Sequence, residues 1–186
     1  IRGQSQLLSR IVDDLRTVSL AEAGRLPLEL TVLDAAEVVR DTVANFGPAA
    51  ELAGLQVGAV LEGEPLHVRA DRERLGQMLG ALADNALRHT PEGGQVVIEG
   101  LHRGRSVELA VRDDGPGIPP ADLPNVFERF YRVEPANGRM PGTSGLGLSI
   151  VQALAFAQGG TAAASNVEPH GARFAVVLPT ATPPSA

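Results

Sequence analysis

Four segments follow one another between residues 79 and 155: LGALADNALRHT at 79–90, VRDDGPGIPP at 111–120, VFERFYR at 126–132 and GTSGLGLSIVQALA at 142–155. Around the first, Leu75, Met78, Leu79, Leu82 and Ala86 recur at helical spacing and predict an apolar face. Ala81, Asn85, Arg88 and His89 fall on another stripe, separated by four, three and one residues. Asn inside a helix costs propensity relative to Ala, so Asn85 needs a reason to be there. Its carboxamide oxygen is a hard neutral ligand that suits one position on Mg²⁺ while phosphates and water fill the rest. Arg88, one turn on, suits a phosphate. On this segment alone, a solvated polar face is the simpler reading.

In the second segment a predicted strand delivers Asp113 to a Gly-Pro-Gly turn. A carboxylate there can accept a hydrogen bond from an amine, such as the exocyclic amine of adenine. Gly115 and Gly117 remove side chains where a flat ring could lie against backbone. An ordinary strand-ending turn uses the same residues. The third segment holds Phe127, Phe130 and Tyr131, half of the six aromatics in the chain, inside a long Pro- and Gly-rich stretch over 114–145. A loop of that length reads as a lid or binding loop, and its aromatics as anchors. Arg129 and Arg132 add positive charge. In the fourth, glycines at 142, 145 and 147 run into an amphipathic helix whose N-terminal N–H groups and dipole favour an anion. A Gly-rich turn alone is a weak signal; its place between a lid and a helix strengthens it.

Working outward, Leu8, Ile11, Leu15 and Val18 have the spacing of a helix-bundle seam within a helix over 1–24, and Leu7 and Val12 widen it. An amphipathic helix folded onto its own domain is the alternative. Strands are predicted at 28–33, 56–61, 66–70, 95–101, 106–111, 161–166 and 172–178. Gly63 marks a turn between the second and third, and 95–111 reads as a hairpin around Arg103-Gly104. Helices are predicted from Asp34 to about 53, from Asp71 to about Thr90, and over 146–158. Asp34 and Glu37 have capping-box spacing. The segment TATPPSA, 180–186, reads as a loose tail. The order is not a regular βαβ series. It predicts an α+β fold: a two-layer sandwich of mixed sheet covered by helices on one face, with a long lid.

With 44% hydrophobic residues the chain of 186 can build a packed core, although aromatics make up only 3%. The net charge of -6 argues against a nucleic-acid binder. Without cysteine there is neither a disulfide framework nor a thiolate metal site. No apolar run approaches about 18 residues, so no segment reads as a membrane span. The start at Ile1 reads as that of a fragment.

Taken together, in this order and spacing, the four segments strongly resemble the catalytic domain of sensor histidine kinases, of the Bergerat ATP-binding fold. Asn85–Thr90 resembles the family's N box, Asp113–Gly117 its G1 box, Phe127–Arg132 its F box and Gly142–Gly147 its G2 box. The likeness covers about 27–180, and residues 1–24 resemble the end of the second dimerisation helix. The resemblance implies ATP and Mg²⁺ as cofactors, with Asn85 and Arg88 catalytic and Asn85 the metal ligand. By the same resemblance Asp113 would recognise adenine, and Arg88 and His89 would approach the phosphates. Gly115, Gly117, Ile118, Phe130, Arg132, Thr143, Ser144, Gly145, Leu146 and Gly147 complete the implied nucleotide site. The implied partners are a phosphoaccepting His helix and a response-regulator receiver domain. The parent is implied to be a homodimeric, inner-membrane-anchored kinase with this domain in the cytoplasm, and the fragment a monomer or weak dimer.

The acceptor itself is missing from the pattern. His67, His89, His102 and His170 are the four histidines, and none sits on a helix before an acidic residue. Ala81 departs from the family, whose kinases carry a second Asn there and whose gyrase-type ATPases carry a catalytic Glu. Without that Glu the general base for water activation is gone, although Asp84 could compensate for the missing Asn on the metal. Three rivals remain: a gyrase- or mismatch-repair-type ATPase, an anti-sigma-factor serine kinase, and a degenerate binding module without catalysis.

Overall fold

The structure, a computed structural model, describes residues 2–133 and 144–183, with side chains from Ile11 onward. In chain order the elements are α1 (Arg2–Glu22), β1 (Thr31–Asp34), α2 (Ala35–Leu52), β2 (Gln56–Glu62), β3 (His67–Ala70), α3 (Arg72–His89), β4 (Gln95–Arg103), β5 (Ser106–Asp113), α4 (Gly147–Ala157), β6 (Thr161–Asn166) and β7 (Ala172–Pro179). A single 3₁₀ turn covers Leu123–Asn125. Five strands form one mixed sheet in the order β2-β4-β5-β7-β6, and β1 pairs with β3 in a second, two-stranded sheet. Only β2 and β4 run parallel; β4, β5, β7 and β6 are joined antiparallel.

The expected architecture holds. Helices α2, α3 and α4 cover one face of the five-stranded sheet, α2 over β2 and β4, α3 over β4 and β5, and α4 over β6 and β7. Leu75, Met78, Leu79 and Leu82 of α3 meet Val96, Ile98, Leu109 and Val111 of the sheet in one core, with Leu154 of α4 and Val176 and Leu178 of β7. All are essentially solvent-free, and each such side chain contributes roughly 1.5–3 kcal/mol. Phe174 of β7 is the buried aromatic of this cluster, and aliphatic side chains fill the rest of the layer.

Asp71 caps α3 as its position predicts. Its carboxylate accepts from Arg74 N at 3.1 Å and, through Oδ2, from Glu29 N at 2.9 Å. It thereby ties the chain entering β1 to the helix that carries Asn85. Replacing Asp71 with Ala removes both acceptors, and a loss of about 2–3 kcal/mol is expected. A urea midpoint no lower than that of the unaltered chain would contradict this.

The partners of β2 and β3, which the sequence leaves open, lie in different sheets: β2 joins β4, and β3 joins β1. The chain after Gly63 is captured by the start of α2, because Leu66 N donates to Asp34 Oδ1 and Ala35 N donates to Leu66 O, both at 2.9 Å. The expected capping box fails to close. Asp34 Oδ1 accepts from Ala36 N at 3.0 Å, but Glu37 reaches Arg72 instead. The first strand begins at Thr31, later than expected. The predicted loose tail is pinned at its start: Thr180 bridges Val68, and Ala181 N donates to His67 O.

Helix α1 packs on α4 of its own chain. Val18 and Ala21 are buried there, with Ile11 and Leu15 partly so. The stripe predicted as a bundle seam is therefore used within the domain over this half of the helix. Val12, expected to widen the stripe, is 62% exposed. Leu7 and Leu8 lie outside the described side chains.

Candidate functional site

Strand β5 ends in the centre of the sheet at Asp113, whose side chain is 2% exposed on the helix-covered side. Buried carboxylates need partners. Asp113 Oδ1 accepts from Gly115 N at 2.8 Å and from Ala172 N at 3.2 Å. Oδ2 has no hydrogen bond among the described residues, yet it is not sealed from solvent either. Burial pushes this carboxyl above the ordinary range, while the two backbone N–H groups and His89 pull it back. The result is a fixed acceptor with one oxygen anchored and the other available.

The turn after Asp113 presses against the end of α3. A Cβ at Gly115 would stand 2.7 Å from Asp113 Oδ1 and 2.8 Å from His89 O, so only glycine fits. Gly117 has φ +76, a backbone that favours glycine. Ile118 is buried among core residues with Val126 and Leu146, so its side chain anchors the turn. The wall and floor expected from Asp113, Gly115, Gly117 and Ile118 thus form one compact turn beside α3.

On α3, Asn85 is partly exposed, and its carboxamide engages no other described side chain or backbone group. Arg88 is occupied: its Nε and Nη2 donate to Asp84 at 2.9 and 3.1 Å. The pair is exposed and one turn apart. Asp84, considered as a metal ligand, serves here to neutralise Arg88. His89 is exposed at the end of α3, next to the Asp113 turn. Ala81 packs against the core and brings no polar group to the site.

The third and fourth segments are stitched together. Phe130 N donates to Gly145 O at 2.9 Å, and Phe130 is the one non-glycine residue with positive φ among those described, at 63°. A Cβ on Gly145 would come within 2.9 Å of the Phe130 backbone. Phe127 packs edge-on against Phe174 of β7, with ring centroids 6.4 Å apart, and Tyr131 donates to Asp122 at 2.6 Å. That bond raises the phenol's pKa. The Phe130 ring itself is 58% exposed. Arg129, one of the two cations of the third segment, is ion-paired with Glu22 of α1, and Arg132 is exposed. Thr143 and Gly142 lie outside the described residues. Ser144 Oγ accepts from Leu146 N at 3.3 Å. Leu146 is fully buried, so only its backbone can meet a ligand. Gly147 opens α4, whose N-terminus has no side-chain cap. Its first-turn N–H groups suit an anion. Among the described residues no three His, Cys, Asp or Glu side chains form a metal cage.

A family profile described as "Histidine kinase-, DNA gyrase B-, and HSP90-like ATPase" matches residues 70–182, a span that holds α3, the Asp113 turn and the start of α4. The chain belongs to this ATPase family. The sensor protein SphS of Synechococcus elongatus is 38% identical over 95% of the chain and 45% of its own length. The signal transduction histidine-protein kinase BaeS of Escherichia coli is 33% identical over 96% of the chain and 38% of its own length. The chain thus spans under half the length of these relatives. Among solved structures, the Acinetobacter baumannii histidine kinase AdeS superposes with a TM-score of 0.78 at 30% identity, over 97% of this chain and 82% of that one. Full-length ShkA in complex with AMPPNP gives a TM-score of 0.85 at 28% identity, over 99% of this chain and 38% of that one. The ATPase domain described here therefore shares its fold with sensor histidine kinases.

Sequence reasoning missed Asn166 and Gly171, at the mouth of the β6–β7 hairpin. Gly171, at φ +116, lets β7 approach so closely that a Cβ there would stand 2.0 Å from Asp113 O. A glycine just before a strand was the available signal.

Proposed function

We propose that this chain is the ATP-binding catalytic domain of a sensor histidine kinase, presenting the γ-phosphoryl group of ATP to a histidine on a helix outside the chain. The observation that carries the reading is Asp113: buried, held through Oδ1 by two backbone N–H groups, with Oδ2 left to accept from the adenine amine. The base lies against the Gly115–Gly117 backbone, and the phosphates extend toward the N-terminus of α4. Asn85, unengaged and about one helical turn before His89, fits a Mg²⁺ ligand. Bound Mg²⁺ neutralises phosphate charge. Arg88 reaches a phosphate by leaving Asp84; an exposed pair of this spacing contributes only about 0.5 kcal/mol, so the exchange is easy. Phosphoryl transfer needs chiefly positioning and charge compensation. The nucleophile is then the acceptor imidazole, with a receiver domain the next recipient. ThkA, 26% identical to this chain, has been solved in complex with the response regulator TrrA, which favours that partner class. No helix among the described residues is long and apolar enough to cross a membrane. We place the domain in the cytoplasm of a membrane-anchored, dimeric parent.

Ala81 weighs against the gyrase-type reading, because no general base stands at that position. The test is calorimetric titration with a non-hydrolysable ATP analogue, with and without Mg²⁺, beside Asp113→Ala, with Tyr131 emission followed in the same samples. Binding that the substitution abolishes supports the reading; no binding by the unaltered chain overturns it in favour of a non-catalytic module. Incubation with ATP should leave no phosphohistidine on the isolated chain. Rapid label on any of its four histidines would overturn the assignment of the acceptor to another helix.

A further inference from the structure

We infer that Asn166, at the end of edge strand β6, is a positioning residue for the adenine-binding turn; the inference rests on the nucleotide-site reading above. Asn166 Oδ1 accepts from Ile118 N at 2.7 Å, and Asn166 Nδ2 donates to Ile118 O at 2.8 Å. One side-chain amide thus brackets both backbone groups of one residue, across 48 positions of sequence. The other end of the same turn is fixed from the same hairpin, where Ala172 N donates to Asp113 Oδ1. Gly117, between the two clamps, would place a Cβ 3.1 Å from Asn166 Oδ1 and 3.3 Å from Gly171 O. The hairpin mouth closes on itself through Val167 N donating to Gly171 O at 3.0 Å. The Asp113–Ile118 turn is therefore gripped at both ends by residues that need not touch nucleotide.

The residue has no comparable task in the core. Asn166 is exposed, at the end of an edge strand, and its side-chain amide makes no other hydrogen bond among the described residues. A free amide at a strand end would be solvated; this one is spent wholly on the turn that carries the adenine floor. Its removal lets Ile118 and the Gly115–Gly117 backbone shift relative to Asp113, so the loss should appear in recognition of the base rather than of the phosphates. The physical basis is preorganisation: fixing the site before binding removes an ordering cost from association.

The experiment compares Asn166→Ala, Asn166→Asp and, as control, Ser165→Ala, titrated calorimetrically with Mg²⁺-ATP and with Mg²⁺-ITP, whose base lacks the amine that Asp113 would accept. Melting curves are recorded alongside. Asn166→Ala should weaken ATP binding about tenfold and ITP binding less, so that the ATP-to-ITP preference narrows. Asn166→Asp keeps the acceptor for Ile118 N and loses the donor, and should fall between Asn166→Ala and the unaltered chain. Ser165→Ala should leave both affinities unchanged. Unchanged ATP affinity in Asn166→Ala, or equal loss for ATP and ITP, overturns the inference. Failure of the unaltered chain to bind ATP instead overturns the nucleotide reading beneath it, so the two failures are distinguishable.

Discussion

Asp113→Asn should bind Mg²⁺-ATP roughly ten- to a hundredfold more weakly than the unaltered chain and yet melt no lower at neutral pH. Asparagine can keep its Oδ1 under the Gly115 and Ala172 N–H groups, which hold that oxygen at 2.8 and 3.2 Å. The change falls on the other arm, where a charged acceptor becomes an N–H donor facing the donor amine of adenine. A hydrogen bond to a charged group is worth about 1.5–3 kcal/mol. The stability half of the expectation follows from burial. The carboxyl lies above its ordinary pKa because desolvation disfavours the anion. Below the unfolded-state pKa the group is protonated in both states and costs nothing. As pH rises through the raised folded value, the unfolded chain ionises more readily and stability is lost; above it, the loss is constant. Urea denaturation of both proteins across that window should therefore show the difference moving in favour of Asn as pH rises, then levelling. A variant that melts well below the unaltered chain at neutral pH would mean that the carboxylate's two backbone bonds outweigh its desolvation.

What could be foreseen about the fold divides along sequence distance. Helix α3 was legible because its cap, Asp71, and its apolar stripe lie within the element itself. The β4–β5 hairpin was legible because its two strands are joined by a short turn with Gly104 at φ +65. The pairing of β2 was not, since alternation marks a strand without naming its partner, and Leu66 is held by Asp34 from another element. Glu37 illustrates the same competition: its spacing suited a capping box, but Arg72, supplied from the start of α3, takes it instead.

The site divides in the same way. Asp113, Gly115 and Gly117 announced themselves because a turn is a local object whose residue types follow from its backbone. Arg88 was legible only as a cation; that Asp84, four residues earlier, would hold it was equally readable from helical spacing. Asn166 carried no local mark of its task, and Gly171 only its place just before a strand. Their roles exist only because the β6–β7 hairpin closes over the end of β5, a contact that no stretch of either segment specifies.

Gly171→Ala should be the most damaging glycine-to-alanine change among the described residues, at about 3–5 kcal/mol. At φ +116 an L side chain is strained, which costs about 1–3 kcal/mol. The added Cβ would stand 2.0 Å from Asp113 O and 3.1 Å from Asp113 C, backbone atoms in the centre of the sheet that cannot swing aside; overpacking of this kind costs about 1–3 kcal/mol more. The natural comparison is Gly104→Ala, where φ is +65 and nothing lies within 4 Å. That change meets the left-handed penalty alone, about 1 kcal/mol. For a chain of this size the first should lower the melting temperature by about 10 °C and the second by about 3 °C. Relief of the clash also has a functional cost. Residue 171 can gain room only by backing away from β5, and that draws Ala172 N off Asp113 Oδ1. Nucleotide affinity should therefore fall in Gly171→Ala even at temperatures where the protein is fully folded, and stay unchanged in Gly104→Ala. If the two variants melt together, the close approach of the hairpin to Asp113 does not exist in solution, and the anchoring of the Asp113 carboxylate from β7 falls with it.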